Sequence, residues 1–270
     1  MLSVLVNGQE CKDPAHAVAV HDRGLAYGDG LFETMLLAWG KVRFLDAHLR
    51  RLAQGCSKLG IDYPGDDVLR AEIDRVCGSR SAGVVKLVLT RGAGARGDRP
   101  APGAPCTRIV SLHEPVESPS SIRVRWCRMR LSRNAALAGI KHLNRLEQVL
   151  AQSEWQDPEV EEGFMLDSEG ELVCGTASNI FIVRGHELIT HDLRYCGVRG
   201  IMRGEVIRIA TELGIPVREE PLWPEDLETA TEVFVTNAIR GIRSVTALEQ
   251  FTWPCGHITQ SLREAVDRDA

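Results

Sequence analysis

Gly139-Ile140-Lys141-His142-Leu143-Asn144-Arg145-Leu146-Glu147-Gln148-Val149-Leu150 is the stretch whose reading decides the rest of the chain. Leu143, Leu146, Val149 and Leu150 recur at helical spacing, which predicts an amphipathic helix with those side chains facing a core. Lys141 stands just before that helix, after a loop of small residues. A lysine fixed at the entrance of a packed element is open to desolvation. That lowers its pKa and frees its amine to form a Schiff base. Most lysines are solvated surface residues, so Lys141 gains meaning only with companions elsewhere in the chain.

The chain around it is that of an ordinary globule. It has 270 residues, 44% of them hydrophobic, with a mean hydropathy of -0.12, enough for one large domain or two modest ones. The net charge of -5 gives no basic field for nucleic acid. No apolar run approaches the roughly 18 residues of a membrane span, and the start reads as a strand and tight turn, not a signal peptide. The eight cysteines form no C-x-x-C pair, which argues against a zinc site. Most sit inside apolar patterns, as reduced thiols of a cytoplasmic protein do. The histidines have no ligand spacing, and no metal is expected.

The pattern alternates strands and helices. Strands are expected at 2–6, 31–38, 42–45, 84–90 and 109–112. Asp46 is a plausible N-cap for a helix carrying Leu49, Leu52, Cys56 and Leu59 on one face, and a second helix fits 66–77. The stretch 91–102, rich in Gly, Pro and Arg, is loop. Residues 114–121 have linker composition, so the division expected is 1–113 for a smaller N-terminal domain and 122–270 for a larger one. The second half predicts strands at 122–128, 163–167, 171–174, 179–183, 186–190 and 233–236. Helices are expected over 200–213, closed by Gly214, and 258–267. The fold class is mixed α/β in two domains.

The Lys141 string resembles the cofactor-lysine segment of the aminodeoxychorismate lyases, a branch of the fold-type-IV pyridoxal-phosphate family that also holds the branched-chain and D-amino-acid aminotransferases. Four further segments carry the resemblance. Asp22-Arg23-Gly24-Leu25-Ala26-Tyr27-Gly28-Asp29-Gly30-Leu31-Phe32-Glu33 resembles the family's entry strand and implies that Tyr27 and Phe32 meet substrate. His48-Leu49-Arg50-Arg51-Leu52 resembles its H-x-x-R-L and puts the phosphate arginine at Arg51. Arg91-Gly92-Ala93-Gly94-Ala95-Arg96-Gly97 resembles the lyase loop, in which Arg91 and Arg96 would face a carboxylated substrate. Gly200-Ile201-Met202-Arg203 opens a helix, where free N–H groups make an anion site, and the resemblance gives phosphate contacts to Ile201 and Met202.

In Gly175-Thr176-Ala177-Ser178-Asn179-Ile180-Phe181 the chain keeps the family's small-residue turn but has Cys174 where most relatives have a glutamate on the cofactor's ring nitrogen. A thiol, with an unperturbed pKa of about 8.5, makes a poorer electron sink there than a carboxylate. Either the sink is weaker, or another acid, Glu169 or Glu171, takes the place. The resemblance also gives cofactor contacts to Thr176, Ala177, Val198 and Asn237. It implies pyridoxal 5'-phosphate in a crevice between two domains and a homodimer. The activity implied is cleavage of aminodeoxychorismate to 4-aminobenzoate and pyruvate on the route to folate. The alternatives are an aminotransferase of the same fold acting on D- or branched-chain amino acids, and an inactive homologue that binds a metabolite.

Overall fold

The computed structural model describes residues 1–101 and 103–268; Pro102 of the expected loop and the last two residues lie outside them. The described chain divides into two units. The first holds Met1–Val116 and Ile140–Asn144, the second Glu117–Gly139 and Arg145 onward. The segment 140–144 therefore departs from the contiguous division read from composition.

The first unit contains β1 (Ser3–Val6), β2 (Gln9–Glu10), α1 (Arg23–Tyr27), β3 (Gly30–Ala38), β4 (Lys41–Val42), α2 (Leu45–Leu59), α3 (Asp66–Cys77), β5 (Gly83–Thr90) and β6 (Thr107–His113). Among the described residues its strands form one antiparallel sheet in the order β2-β1-β6-β5-β3-β4. Strand alternation divides β3 cleanly. Leu31, Glu33, Met35 and Leu37 are buried, whereas Phe32, Thr34 and Leu36 are only half-buried. Leu31 packs on Gly55 of α2, so the buried set faces the helices. There Leu49, Leu52, Cys56, Leu69 and Ile73 complete the core, each leucine or isoleucine contributing about 1.5–3 kcal/mol. Asp46 falls in the first turn of α2, not at its cap.

Ile140–Asn144 is extended, not helical. Phe32 N donates to Lys141 O at 3.0 Å, Leu143 N donates to Gly30 O at 3.0 Å, and Leu31 pairs with His142 as an antiparallel bridge. Those bonds are the reason the segment counts with the first unit. They demand Gly30, because a Cβ there would stand 2.5 Å from Leu89 O and 2.8 Å from Leu143 Cδ1.

The second unit contains β7 (Ser121–Trp126), α4 (Leu146–Gln152), β8 (Glu162–Leu166), β9 (Leu172–Gly175), β10 (Asn179–Arg184), β11 (Glu187–Thr190), α5 (Ile201–Glu212), β12 (Val217–Glu219), β13 (Glu232–Asn237), β14 (Gly241–Leu248), β15 (Phe251–Thr252) and α6 (His257–Arg268). The order β10-β13-β14-β7-β8-β9 returns to β10 through the pair Asn179–Cys174, so the sheet closes on itself and its central strands have no free edge. Each strand of the ring gives residues to one apolar cluster, among them Val124, Phe164, Leu172, Ile180, Val235 and Val245, which places that cluster inside the ring. The helices α5 and α6 pack outside on β13 and β14. The apolar pattern did not announce β14, because Arg243 and Ser244 interrupt it.

The helix predicted from Leu143 begins at Leu146, and its apolar face corrects the expectation. Leu146, Val149 and Leu150 are each more than half exposed, and Ala151 is the buried residue of α4. Periodicity placed these side chains on one face, but among the described residues nothing covers that face.

One buried ion cluster joins α2 to β3. Glu33 accepts from Arg51 Nε at 2.8 Å and from Arg51 Nη2, and lies 2.7 Å from His48 Nδ1. Burial alone would raise the Glu33 pKa, but the Arg51 charge and the His48 and Arg51 hydrogen bonds outweigh it and hold the carboxyl down to about 2. A depressed acid stabilises the fold above its unfolded pKa, and that stability is lost as pH falls through the folded one. The window is therefore from the ordinary value of 4.5 down to about 2. The shift corresponds to roughly 3 kcal/mol. Glu33→Gln should lower urea-measured stability at pH 7 by roughly 3 kcal/mol and flatten the loss of stability between pH 5 and about 2.5. Equal acid profiles in the two proteins would show that Glu33 is not the titrating group.

Candidate active site

On the open face of the first unit's sheet, strand register sets Thr34 opposite Lys86, and alternation puts Phe32 on the same side. Lys141 Nζ lies 4.2 Å from the Phe32 ring centroid, and Lys86 Nζ lies 6.0 Å from it. Two ammonium groups thus share one aromatic ring, held there by sheet pairing on both sides. Lys86 and Thr34 went unnoticed in the sequence; the signal was a charged residue inside the apolar run Val84-Val85-Lys86-Leu87-Val88. Arg51 lies on the other, helix-covered face, aimed by Glu33. The H-x-x-R spacing therefore has a local cause: His48 and Arg51, one helical turn apart, address the same carboxylate.

The loop after β5 is tied down by a second ion cluster, and this changes the part assigned to Arg91. Arg91 donates to Asp29 at 2.7 and 3.1 Å and to Leu59 O at 2.8 Å, where it caps the end of α2. With its donors so engaged, Arg91 holds the loop and is not available as a substrate group. Arg23, absent from the expected set, donates to Asp29 at 2.9 Å and to the carbonyls of Gly97 and Asp98 at 2.9 Å. Asp29 is held below the usual carboxylate range, because Arg91 and Arg23 together outweigh the opposing effect of burial. The Arg23 guanidinium also stacks 4.6 Å over the Tyr27 ring, whose hydroxyl accepts from Gly97 N at 3.1 Å. Arg96, between these anchors, is exposed.

The second unit gathers its own set. No side chain caps α5 at Gly200, so the first N–H groups of the helix, those of Ile201 and Met202, lack helical acceptors and a capping partner. Asn179 fixes this helix start: its Nδ2 donates to Val198 O at 2.9 Å and its Oδ1 accepts from Gly200 N at 3.1 Å. Thr236 is the cross-strand partner of Asn179 and so shares its face. Its hydroxyl is buried and has no hydrogen-bond partner. A buried, unanswered hydroxyl on the face that meets a helix N-terminus fits a phosphate. Sequence reading chose its neighbour Asn237 and missed Thr236. The Asn237 side chain instead bridges two turns, donating to Ala177 O at 3.3 Å and accepting from Ile239 N and Arg240 N at 3.0 and 2.7 Å.

Cys174 pairs with Asn179 one step before the turn that holds Thr176 and Ala177. Burial pushes its thiol up to about 12, against the pull of the Arg145 guanidinium, so it is a neutral thiol at neutral pH. The substitute acids do not take its place. Glu171 is committed to His191 Nε2 at 2.9 Å and Arg133 Nη1 at 3.3 Å, and Glu169 is exposed. The buried acid at this turn is Glu162, which accepts from Ser178 Oγ at 3.1 Å and from the Thr176 hydroxyl. It had no signal beyond an acidic residue opening an apolar strand.

Comparison with known proteins meets this geometry. Residues 30–248 match the model of the family described as amino-transferase class IV. The crystal structure of 4-amino-4-deoxychorismate lyase from Pseudomonas aeruginosa is 42% identical and superposes with a TM-score of 0.92 over 98% of both chains. The aminodeoxychorismate lyase of Vibrio harveyi is 29% identical over 93% of this chain and 96% of its own. A D-alanine aminotransferase of Listeria innocua is 30% identical over 92% of this chain and 88% of its own. With a lysine paired beside the entry strand, a helix start free to hold an anion and a family match across both units, the chain belongs to the class IV amino-transferases, the fold-type-IV family of pyridoxal-phosphate enzymes.

Proposed function

We propose that the protein is a 4-amino-4-deoxychorismate lyase that works with pyridoxal 5'-phosphate and yields 4-aminobenzoate and pyruvate for folate synthesis. The observation that carries this reading is the likeness to the Pseudomonas lyase, 42% identical over nearly the whole of both chains. Lys141 is the residue that holds the cofactor's aldehyde. Arg51, the Ile201 and Met202 amides and the Thr236 hydroxyl serve its phosphate, and Thr176, Ala177, Val198 and Asn237 shape the wall around it.

Once bound, the cofactor supplies an electron sink for the carbon that carries the substrate's amine. Lys141 Nζ would be placed to take the proton from that carbon and to return one to the departing enolpyruvyl group. Phe32 lines the place of the substrate ring, with Tyr27 beside it. Lys86 and Arg96 are the cations for its two carboxylates. A neutral thiol at Cys174 leaves the ring nitrogen without a carboxylate partner. Cleavage that forms an aromatic ring tolerates a weaker sink, whereas transamination has no such drive.

A homodimer accords with the uncovered face of α4, where Leu146, Val149 and Leu150 present an apolar stripe that a second copy would bury. The free cysteines accord with a reducing, cytoplasmic setting. The second reading, an aminotransferase, draws on the Listeria relative, 30% identical. Incubation with aminodeoxychorismate should release 4-aminobenzoate and leave the cofactor in its aldehyde form. Absence of 4-aminobenzoate, with conversion of the cofactor to its amine form by D-alanine or leucine, would establish the aminotransferase instead.

Arg51 must serve Glu33 and a phosphate at once, which only a forked guanidinium does. Arg51→Lys should therefore weaken cofactor binding about tenfold or more, while Arg50→Lys, at an exposed neighbour, leaves it unchanged. Titration of the two apoproteins with pyridoxal phosphate measures this, and equal affinities would remove Arg51 from the phosphate site.

A further inference from the structure

Glu162 and Arg243 are buried charges for which the proposed chemistry has no use. Both side chains are 2% exposed, and Arg243 Nη2 stands 3.7 Å from Glu162 Oε2. Neither Nη1 nor Nη2 of Arg243 makes a hydrogen bond. The carboxylate is crowded with donors. Its Oε1 takes the Thr176 hydroxyl and lies 3.3 Å from both Gly163 N and Ala177 N, and its Oε2 takes Ser178 Oγ at 3.1 Å. Thr176, Ala177 and Ser178 therefore each send one donor to one acid. Gly175 completes the wrap: a Cβ there would stand 2.3 Å from Ser178 Oγ and 3.0 Å from Glu162 Cδ.

A pair of this kind is a poor stabiliser. Taking two charges out of water costs about what their attraction returns, and hydrophobic replacements are often as stable. What the carboxylate does fix is the course of the turn, because three successive residues must point their donors inward at it. We propose that Glu162, charge-balanced by Arg243, is a positioning residue that sets the turn Thr176–Ser178 in the shape that binds the cofactor. This rests on the pyridoxal-phosphate reading given above. Arg243 acts on Glu162 through charge, since neither of its terminal nitrogens donates a hydrogen bond, and Coulomb attraction at this distance in a poorly polarisable interior makes few demands on geometry.

Pyridoxal-phosphate affinity of the full-length apoprotein, read from visible absorbance, and its thermal unfolding without cofactor test the idea together. Arg243→Met should raise the dissociation constant about tenfold and, because it leaves the Glu162 charge buried and unpaired, should also lower the apoprotein's melting temperature, whereas Ser178→Ala should leave that temperature nearly unchanged. Arg243→Lys, which keeps the charge, should restore affinity to within about threefold of wild type. Ser178→Ala, which removes one donor and adds no bulk, should also weaken binding, and it carries the test if Arg243→Met does not fold. Wild-type affinity in Arg243→Met and Ser178→Ala would overturn the proposal, as would a loss of affinity in Ser178→Ala that only tracks a loss of melting temperature. Failure of the wild-type apoprotein to take up pyridoxal phosphate would instead overturn the cofactor reading, and this inference with it.

Discussion

Two backbone hydrogen bonds, from Phe32 N to Lys141 O and from Leu143 N to Gly30 O, are the constraint on which the candidate site depends. They lay the lysine segment beside the first residues of β3 and seat the Lys141 amine over the Phe32 ring. The same register aligns Thr34 with Lys86, so one sheet face collects an aromatic ring, a hydroxyl and two amines. Glycine at position 30 is required for the approach, and the Glu33 cluster one residue beyond Phe32 holds the opposite side of the strand to α2. A single strand thus carries the ring beside Lys141 on one face and the carboxylate that holds Arg51 on the other.

The second unit meets the same need by another route. Its ring of strands closes through Asn179 and Cys174, and Asn179 also clamps the start of α5. Closing the sheet and presenting the helix N-terminus are therefore properties of one residue's backbone and side chain. Cys174, the strand partner of Asn179 in that closure, is buried. Burial pushes its thiol up to about 12, so it carries no charge at neutral pH. On the lyase reading proposed above, a neutral group there leaves the drive for reaction to the substrate, which suits a cleavage that ends in an aromatic product.

Much of this was legible in the sequence where periodicity and burial coincide. The alternation in β3 and the apolar run of β5 gave strands, and the apolar spacing of α3 and α5 gave helices at close to their observed bounds. The misreadings share a physical cause. Periodicity shows which side chains share a face, not what covers that face, so the stripe of α4 looked like core and is exposed. A charge inside an apolar strand is easily passed over or read as a break: Lys86 went unremarked within β5, and Arg243 hid β14. The resemblance gave Arg91 and Arg96 one role, against the alternative that Arg96 is solvated and Arg91, at the strand end, is structural. Only the fold shows that Asp29 and the end of α2 claim the first and leave the second exposed. Thr236 has no sequence signal at all, since its distinction is a hydroxyl left without a partner by its neighbours.

The central claim is that Lys141, placed by strand pairing, is the amine that holds the cofactor. Borohydride reduction of the cofactor-loaded protein, followed by peptide mapping, tests it most directly. The account predicts a pyridoxyl label on the peptide containing Lys141 and on no other lysine. A label on Lys86, which shares the same aromatic ring, or on Lys41 or Lys58 would contradict it.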